Sequence, residues 1–116
     1  MGINNNLVQE LLSTSKYQNI EFMAVTKKRT VEDIIELHKQ GVTVFGENQV
    51  QEADLKYSNL HHRNLLKLHL IGPLQSNKTK KALQIFDTIQ TLDRKKIIDT
   101  ISENYSEKSR TKEFYL

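Results

Sequence analysis

The stretch FMAVTKKRTVEDIIELHKQGVTVFGEN, residues 22–48, decides the fold. "EFMAVT", residues 21–26, is a short β-type run. Thr30 stands three residues ahead of Asp33, a capping arrangement in front of "VEDIIELHKQ", and Gly41 is a natural stop for that helix. "VTVF" is β-branched and aromatic and reads as a strand ending at Gly46. Strand, helix and strand in this order predict a parallel pair joined by a right-handed crossover.

The same alternation continues outward. "NNNLVQELLSTS" spaces Leu7, Leu11 and Leu12 at helical intervals behind an asparagine able to cap, so residues 1–20 read as an N-terminal helix and lead-in. A polar helix is expected over residues 49–57. "LKLHLIG" alternates and stops at Gly72 and Pro73, "NKTKKALQIF" is helical, "DTIQTLD" is a weak strand, "RKKIIDTISENYS" is an amphipathic helix, and "EFYL" begins another strand. Two α/β architectures fit. A five-stranded doubly wound sheet closes within this length. A (β/α)8 barrel needs ~250 residues, so this chain would supply about half of one, four βα units and the start of a fifth strand.

Composition narrows the function classes. A chain of 116 residues fits one domain or part of one. Without cysteine there are no disulfides, thiolate metal sites or cysteine nucleophiles, and a reducing compartment, the cytoplasm, is the default expectation. The first residues lack a signal peptide's basic and apolar regions, and no apolar run approaches the ~20 residues that span a bilayer. Asn6 stands where a myristoylation signal starting with "MG" wants Ser or Thr. The net charge of +3 is spread among acidic residues, so charge alone does not require nucleic acid.

In both architectures the ligand site lies at the carboxyl ends of the strands. Those ends read "TKKRT", "GENQVQE", "GPLQSNKTKK" and "DRKK", three of the four basic. Cations there suit a phosphorylated or otherwise anionic small ligand. In strand phase Lys27 follows Val25 and Met23, whereas Lys28 follows Thr26 and Ala24, so the two cannot enter one pocket. A free lysine amine has a pKa near ~10.4, and partial burial beside Lys28 and Arg29 would lower it toward a working nucleophile.

"MAVTKKRTVEDI", "VFGENQVQEA" and "LHLIGPLQSNKTKKAL" resemble, in order and spacing, the N-terminal signatures of the YggS/PROSC family, the pyridoxal phosphate homeostasis proteins; "FDTIQTLDRKKI" resembles the segment that follows. The resemblance implies a single (β/α)8 TIM-type barrel domain related to the N-terminal domain of alanine racemases, of which residues 1–116 would be the N-terminal half. It also implies pyridoxal 5'-phosphate (PLP) as cofactor, held as a Schiff base on Lys27, the lysine of "VTK". Asn48 of "FGEN" would meet the cofactor ring or its aldehyde oxygen, with a helix cap as the alternative. By correspondence with the family's "HFIG" strand, His69 is counted with Lys27 and Asn48 as cofactor-binding and would project into the barrel or the opposite wall, as a packed, hydrogen-bonded histidine ahead of any acid–base role. Gln75, Asn77 and Lys78 would shape the rim. "HHR" at residues 61–63 suggests no third ligand at metal-site spacing and reads as a solvated linker.

The family's phosphate-binding loops belong to its last strands, and "EFYL" matches only its fifth. A fragment, a truncated frame or a chain that pairs with another is therefore expected, with self-association through uncovered strand edges. The resemblance implies a protein that binds, buffers or delivers PLP, with PLP-dependent apoenzymes as possible recipients and no established turnover. A residual racemase-like or transaminase-like activity is the alternative, and it would need a second acid–base residue. Nucleic-acid binding would want stacking aromatics among the cations, and "TKKRT", "QSNKTKK" and "DRKK" contain none.

Overall fold

The computed structural model describes residues 3–18, 21–90, 92 and 94–116. The "MG" start, residues 19–20 of the lead-in, and Thr91 and Asp93 of the fourth-strand stretch lie outside the described residues. Five helices, α1 (Asn5–Gln18), α2 (Val31–Lys39), α3 (Val50–Tyr57), α4 (Thr79–Ile85) and α5 (Lys95–Asn104), alternate with five strands, β1 (Ala24–Val25), β2 (Val44–Glu47), β3 (Lys67–Leu70), β4 (Thr88–Ile89) and β5 (Glu113–Phe114). The strands form one parallel sheet in the order β1-β2-β3-β4-β5. Sequential order removes the doubly wound alternative, in which the chain would reverse direction within the sheet.

The helix between β1 and β2 begins where its sequence says it should. Thr30 Oγ1 accepts the Asp33 N–H at 3.1 Å while the Asp33 carboxylate reaches back to the Thr30 N–H at 3.5 Å, closing a capping box. Gly41, with φ of 106°, takes the left-handed conformation that ends the helix without a Cβ penalty. Strand alternation then sorts the sheet's two faces. Phe45, Leu68, Leu70 and Ile89 are fully buried against Ile34, Ala53, Leu83 and Ile97 of the helices. On the other face Val25, Lys67 and Tyr115 are exposed, and Lys67 and Glu113 pair across it at 2.6 Å. Among the described residues, no helix is long and apolar enough to cross a membrane.

The "HHR" segment is not the solvated linker expected of it. Arg63 is buried, donating to the carbonyls of Leu66 and Ile85 and to the Asp87 carboxylate at 2.9 Å. Asp87 also accepts the Leu68 N–H at 2.8 Å, so this pair ties the start of β3 to the chain entering β4. The ring of His62 stacks on that of His38, with centroids 4.5 Å apart. Only His61 of the three is exposed. Polar letters in a row suggested a wet loop, but a guanidinium can be buried when carbonyls and a carboxylate satisfy it.

Two outcomes follow from this end of the sheet. Asp87→Ala strands the buried guanidinium and frees a strand N–H, so it should lower unfolding free energy by about 3 kcal/mol, measured by denaturant titration. Burial, then the neighbouring His38 and His61, holds the His62 pKa below its ordinary 6.5. A depressed histidine pKa means the neutral form is favoured in the fold, so this stabilisation is present above the unfolded pKa and lost as pH falls through it toward the folded value. The thermal midpoint should drop between about pH 7.5 and about pH 5.5, and drop less in His62→Phe, which keeps the ring stack without the proton.

Candidate functional site

Strand register puts Val25, Gly46, His69 and Thr88 side by side across the sheet, so their side-chain positions share one face. Lys27 and Asn48 each lie two residues beyond a member of this row, at the carboxyl ends of β1 and β2. The chain thus brings the Lys27 and Asn48 positions to one rim, with His69 a full pleat behind them. Gly46 is why the row is passable at that point: a Cβ there would meet Met23 Sδ at 2.5 Å and Ile71 Cδ1 at 3.2 Å, so Met23 and Ile71 pack over its bare backbone.

Lys27 is exposed, so the partial burial expected of it is not found among the described residues. The expected strand phasing of the two lysines also stops short. The Thr26 N–H extends the ladder to the Gly46 carbonyl at 3.0 Å, after which the Arg29 N–H closes a turn on the Thr26 carbonyl at 2.9 Å. Lys28, with φ of 61°, occupies the left-handed region. The two lysines are therefore separated by a turn, not by alternation along a strand. Among the described residues the Lys27 amine is engaged in no hydrogen bond or ion pair, which leaves it available to a ligand.

Asn48 is half-buried and is not the helix cap; Gln49 holds that position in α3, without a side-chain bond. Asn48 instead lines a cavity of about 450 Å³ with Gln51, Pro73, Gln75 and Lys78. The loops after β2 and β3 touch there. A Cβ on Gly72 would fall 2.4 Å from the Asn48 carbonyl oxygen, so only glycine allows this approach. Asn77 borders a neighbouring hollow with Gln75, Ser76, Arg94 and Lys96.

His69 is buried, and its Nδ1 accepts from the Gln90 side-chain amide at 3.0 Å. That bond puts the neutral ring's proton on Nε2, which is buried without a partner among the described residues. Burial, then nearby Lys67, holds the His69 pKa below 6.5. A packed, hydrogen-bonded histidine is what is found.

Beneath the Lys27 turn lies a polar cluster that the sequence reading passed over. Glu47 points from β2 into the helix layer and is fully buried. Lys56 of α3 spends its three N–H bonds on the Thr26 carbonyl at 2.6 Å, Glu47 Oε2 at 2.7 Å and Glu52 Oε2 at 2.8 Å. Thr26 Oγ1 lies 2.5 Å from Glu47 Oε2 and 2.6 Å from the Tyr57 hydroxyl. A carboxylate only accepts, so Thr26 donates to Glu47 and Tyr57 donates to Thr26. Glu52 accepts the Lys28 N–H at 2.5 Å, and its hydrogen bond from Lys56, opposed by partial burial, holds its carboxyl below the usual range. Burial pushes the Tyr57 phenol well above its ordinary pKa. The sequence did carry a signal: Glu47 stands in the helix-facing phase of Phe45, and Glu52 and Lys56 are four apart on one helix.

No family model matches the chain. It is 49% identical over 85 residues to the pyridoxal phosphate homeostasis protein of Pasteurella multocida, covering 72% of this chain and 36% of that protein. To the pyridoxal phosphate homeostasis protein of Haemophilus influenzae it is 40% identical over 107 residues, 86% of this chain and 45% of that one. The fold superposes on PipY of Synechococcus elongatus, solved with PLP bound, with a TM-score of 0.73 and 34% identity over 83% of this chain and 47% of PipY. The chain spans less than half the length of these relatives. Over the stretch it spans, this chain is similar to the pyridoxal phosphate homeostasis proteins.

Proposed function

We propose that this chain binds PLP through a Schiff base on Lys27 and serves intracellular PLP homeostasis in the cytoplasm, holding the cofactor for delivery to PLP-dependent apoenzymes. The observation that supports it is the accessible Lys27 amine, uncommitted among the described residues and sited at the carboxyl ends of the strands, in a chain whose fold is similar to that of a relative solved with PLP bound. PLP offers an aldehyde, with which a lysine amine condenses with loss of one water. Lys27 supplies the amine. Asn48, on the same rim, has an amide that makes no hydrogen bond among the described residues and would serve to hydrogen-bond the ring or its oxygen. His69 lies deeper and supports the floor through its bond to Gln90.

Addition of PLP should give an imine absorbance band that borohydride fixes as a covalent adduct, located by peptide mass spectrometry. Lys27→Ala should lower the trapped yield by at least about tenfold, a discrimination of roughly 1.4 kcal/mol. An unchanged yield, or label spread over Lys28 and surface lysines, overturns the assignment.

The finer architectural reading is that this sheet is one half of an eight-stranded barrel, with the Val25, Lys67 and Tyr115 face as its interior. β1 and β5 are then edges that a closed barrel would pair. The 116-residue chain should self-associate as concentration rises, seen as a growing mass in light scattering. A single monomeric species with cooperative thermal unfolding at every concentration would show that the open sheet is self-sufficient.

A further inference from the structure

We propose that Glu52 and Lys56, anchored on buried Glu47, are positioning residues for Lys27: an ion cluster under the sheet that fixes the backbone turn on which the reactive amine stands. The proposal rests on the reading of Lys27 given above and adds residues that need not touch the cofactor.

The geometry brackets Lys27 on both sides. Thr26, the residue before it, has every polar atom engaged: its N–H on Gly46, its carbonyl shared by Arg29 and Lys56, and its hydroxyl between Glu47 and Tyr57. Lys28, the residue after it, has its N–H on Glu52. The backbone on both sides of Lys27 is thus held, while among the described residues its own amine makes no hydrogen bond or ion pair. The turn also needs holding. A non-glycine residue in the left-handed region is unfavourable by itself and persists where surroundings over-determine it. Here the N–H of that residue, Lys28, is the one clamped by Glu52.

The cluster's chemistry explains why it is stiff. Glu47 is at 0% exposure, and a buried carboxylate is tolerated only when paired and hydrogen-bonded. Lys56 is the partner, with 10% of its side chain exposed, and its other two donors are fixed by the same demand. Three acceptors at 2.6, 2.7 and 2.8 Å leave the ammonium no alternative arrangement, so the β1 turn, β2 and α3 are joined at one atom. An amine on a fixed turn meets an aldehyde in one orientation, and loss of that orientation lowers reactivity without touching the reacting atoms.

Lys56→Met or Glu47→Ala would strand a buried charge and could unfold the chain, so the test uses Glu52, whose side chain is 27% exposed. Glu52→Ala removes the acceptor for Lys28 and one for Lys56; Glu52→Gln removes the charge but keeps an acceptor oxygen. Glu103→Ala, on exposed α5 surface, controls for lost charge. Each protein is treated with PLP and borohydride across a pH series, and the ratio of adduct on Lys27 to adduct on Lys28 is read by peptide mass spectrometry. Amide exchange of Lys28 is read by NMR without cofactor. In Glu52→Ala the Lys27 to Lys28 ratio should fall about tenfold at every pH, the effect of losing the charge-assisted hydrogen bond that holds the Lys28 N–H, and Lys28 exchange should quicken by a similar factor. Glu52→Gln should recover most of both, and Glu103→Ala should match wild type. A wild-type ratio in Glu52→Ala, or equal impairment in the Ala and Gln variants, overturns the proposal. If wild type itself forms no Lys27 adduct while Lys28 exchange responds as described, the cluster holds the turn but the Lys27 reading, and with it this role, fails.

Discussion

A carboxylate sealed between sheet and helices sets the terms for this molecule. Glu47 projects from the second strand into a layer otherwise filled by Phe45, Leu68, Leu70 and the inner faces of the helices. Such a group must be met by a cation and by hydrogen bonds, and α3 supplies the cation one turn after Glu52. Once Lys56 is committed to Glu47, its remaining donors fall on the Thr26 carbonyl and on Glu52, and the first strand's turn is joined to the second crossover. The other end of the sheet solves the same problem with opposite sign. There Arg63 is the buried charge, and Asp87 with two backbone carbonyls answers it. Each end of the short parallel sheet is thus closed by an ion pair that also holds a loop.

The Arg63–Asp87 pair lies at the amino ends of β3 and β4, the side of a parallel α/β sheet generally given to stability, whereas the Glu47–Lys56 cluster lies beneath the carboxyl ends, the side generally given to ligands. Two-residue strands such as β1 and β4 have little ladder of their own. The polar clusters supply the fixed geometry that so few strand hydrogen bonds would leave loose. Lys27 and Asn48 stand on loops, yet those loops are anchored from below by groups that cannot leave the interior.

The order of elements was legible because each is punctuated in the sequence. The Thr30–Asp33 capping box, the Gly41 stop and the alternation in "LKLHLIG" all have local physical causes, and all were found where expected. What the sequence hid was non-local. Arg63 looked solvated because its acceptors, Leu66, Ile85 and Asp87, come together only after folding. The helix-cap alternative for Asn48 stayed open because one residue's difference in register cannot be read from letters. The phasing of Lys27 against Lys28 assumed an extended chain, and the turn at Thr26 ends that assumption. The buried cluster was half visible, as a glutamate in an apolar phase and a Glu52–Lys56 pair four apart, but nothing local joined Glu47 to Lys56 nine residues on. The sequential strand order came from neither periodicity nor caps; two topologies satisfied those, and the pairing itself distinguishes them.

The missing side chain at Gly72 has a mechanical meaning. Because the backbones after β2 and β3 touch at Asn48 and Gly72, the two loops share a pivot and have no clearance to slide past one another. A displacement of Asn48 would press on Gly72 and so on the loop carrying Pro73 and Gln75, which line the same cavity. The rim therefore behaves as one jaw instead of two fingers: whatever engages Asn48 reads the shape of the opposite loop in the same event, and neither loop can drift in sequence without the other registering the change.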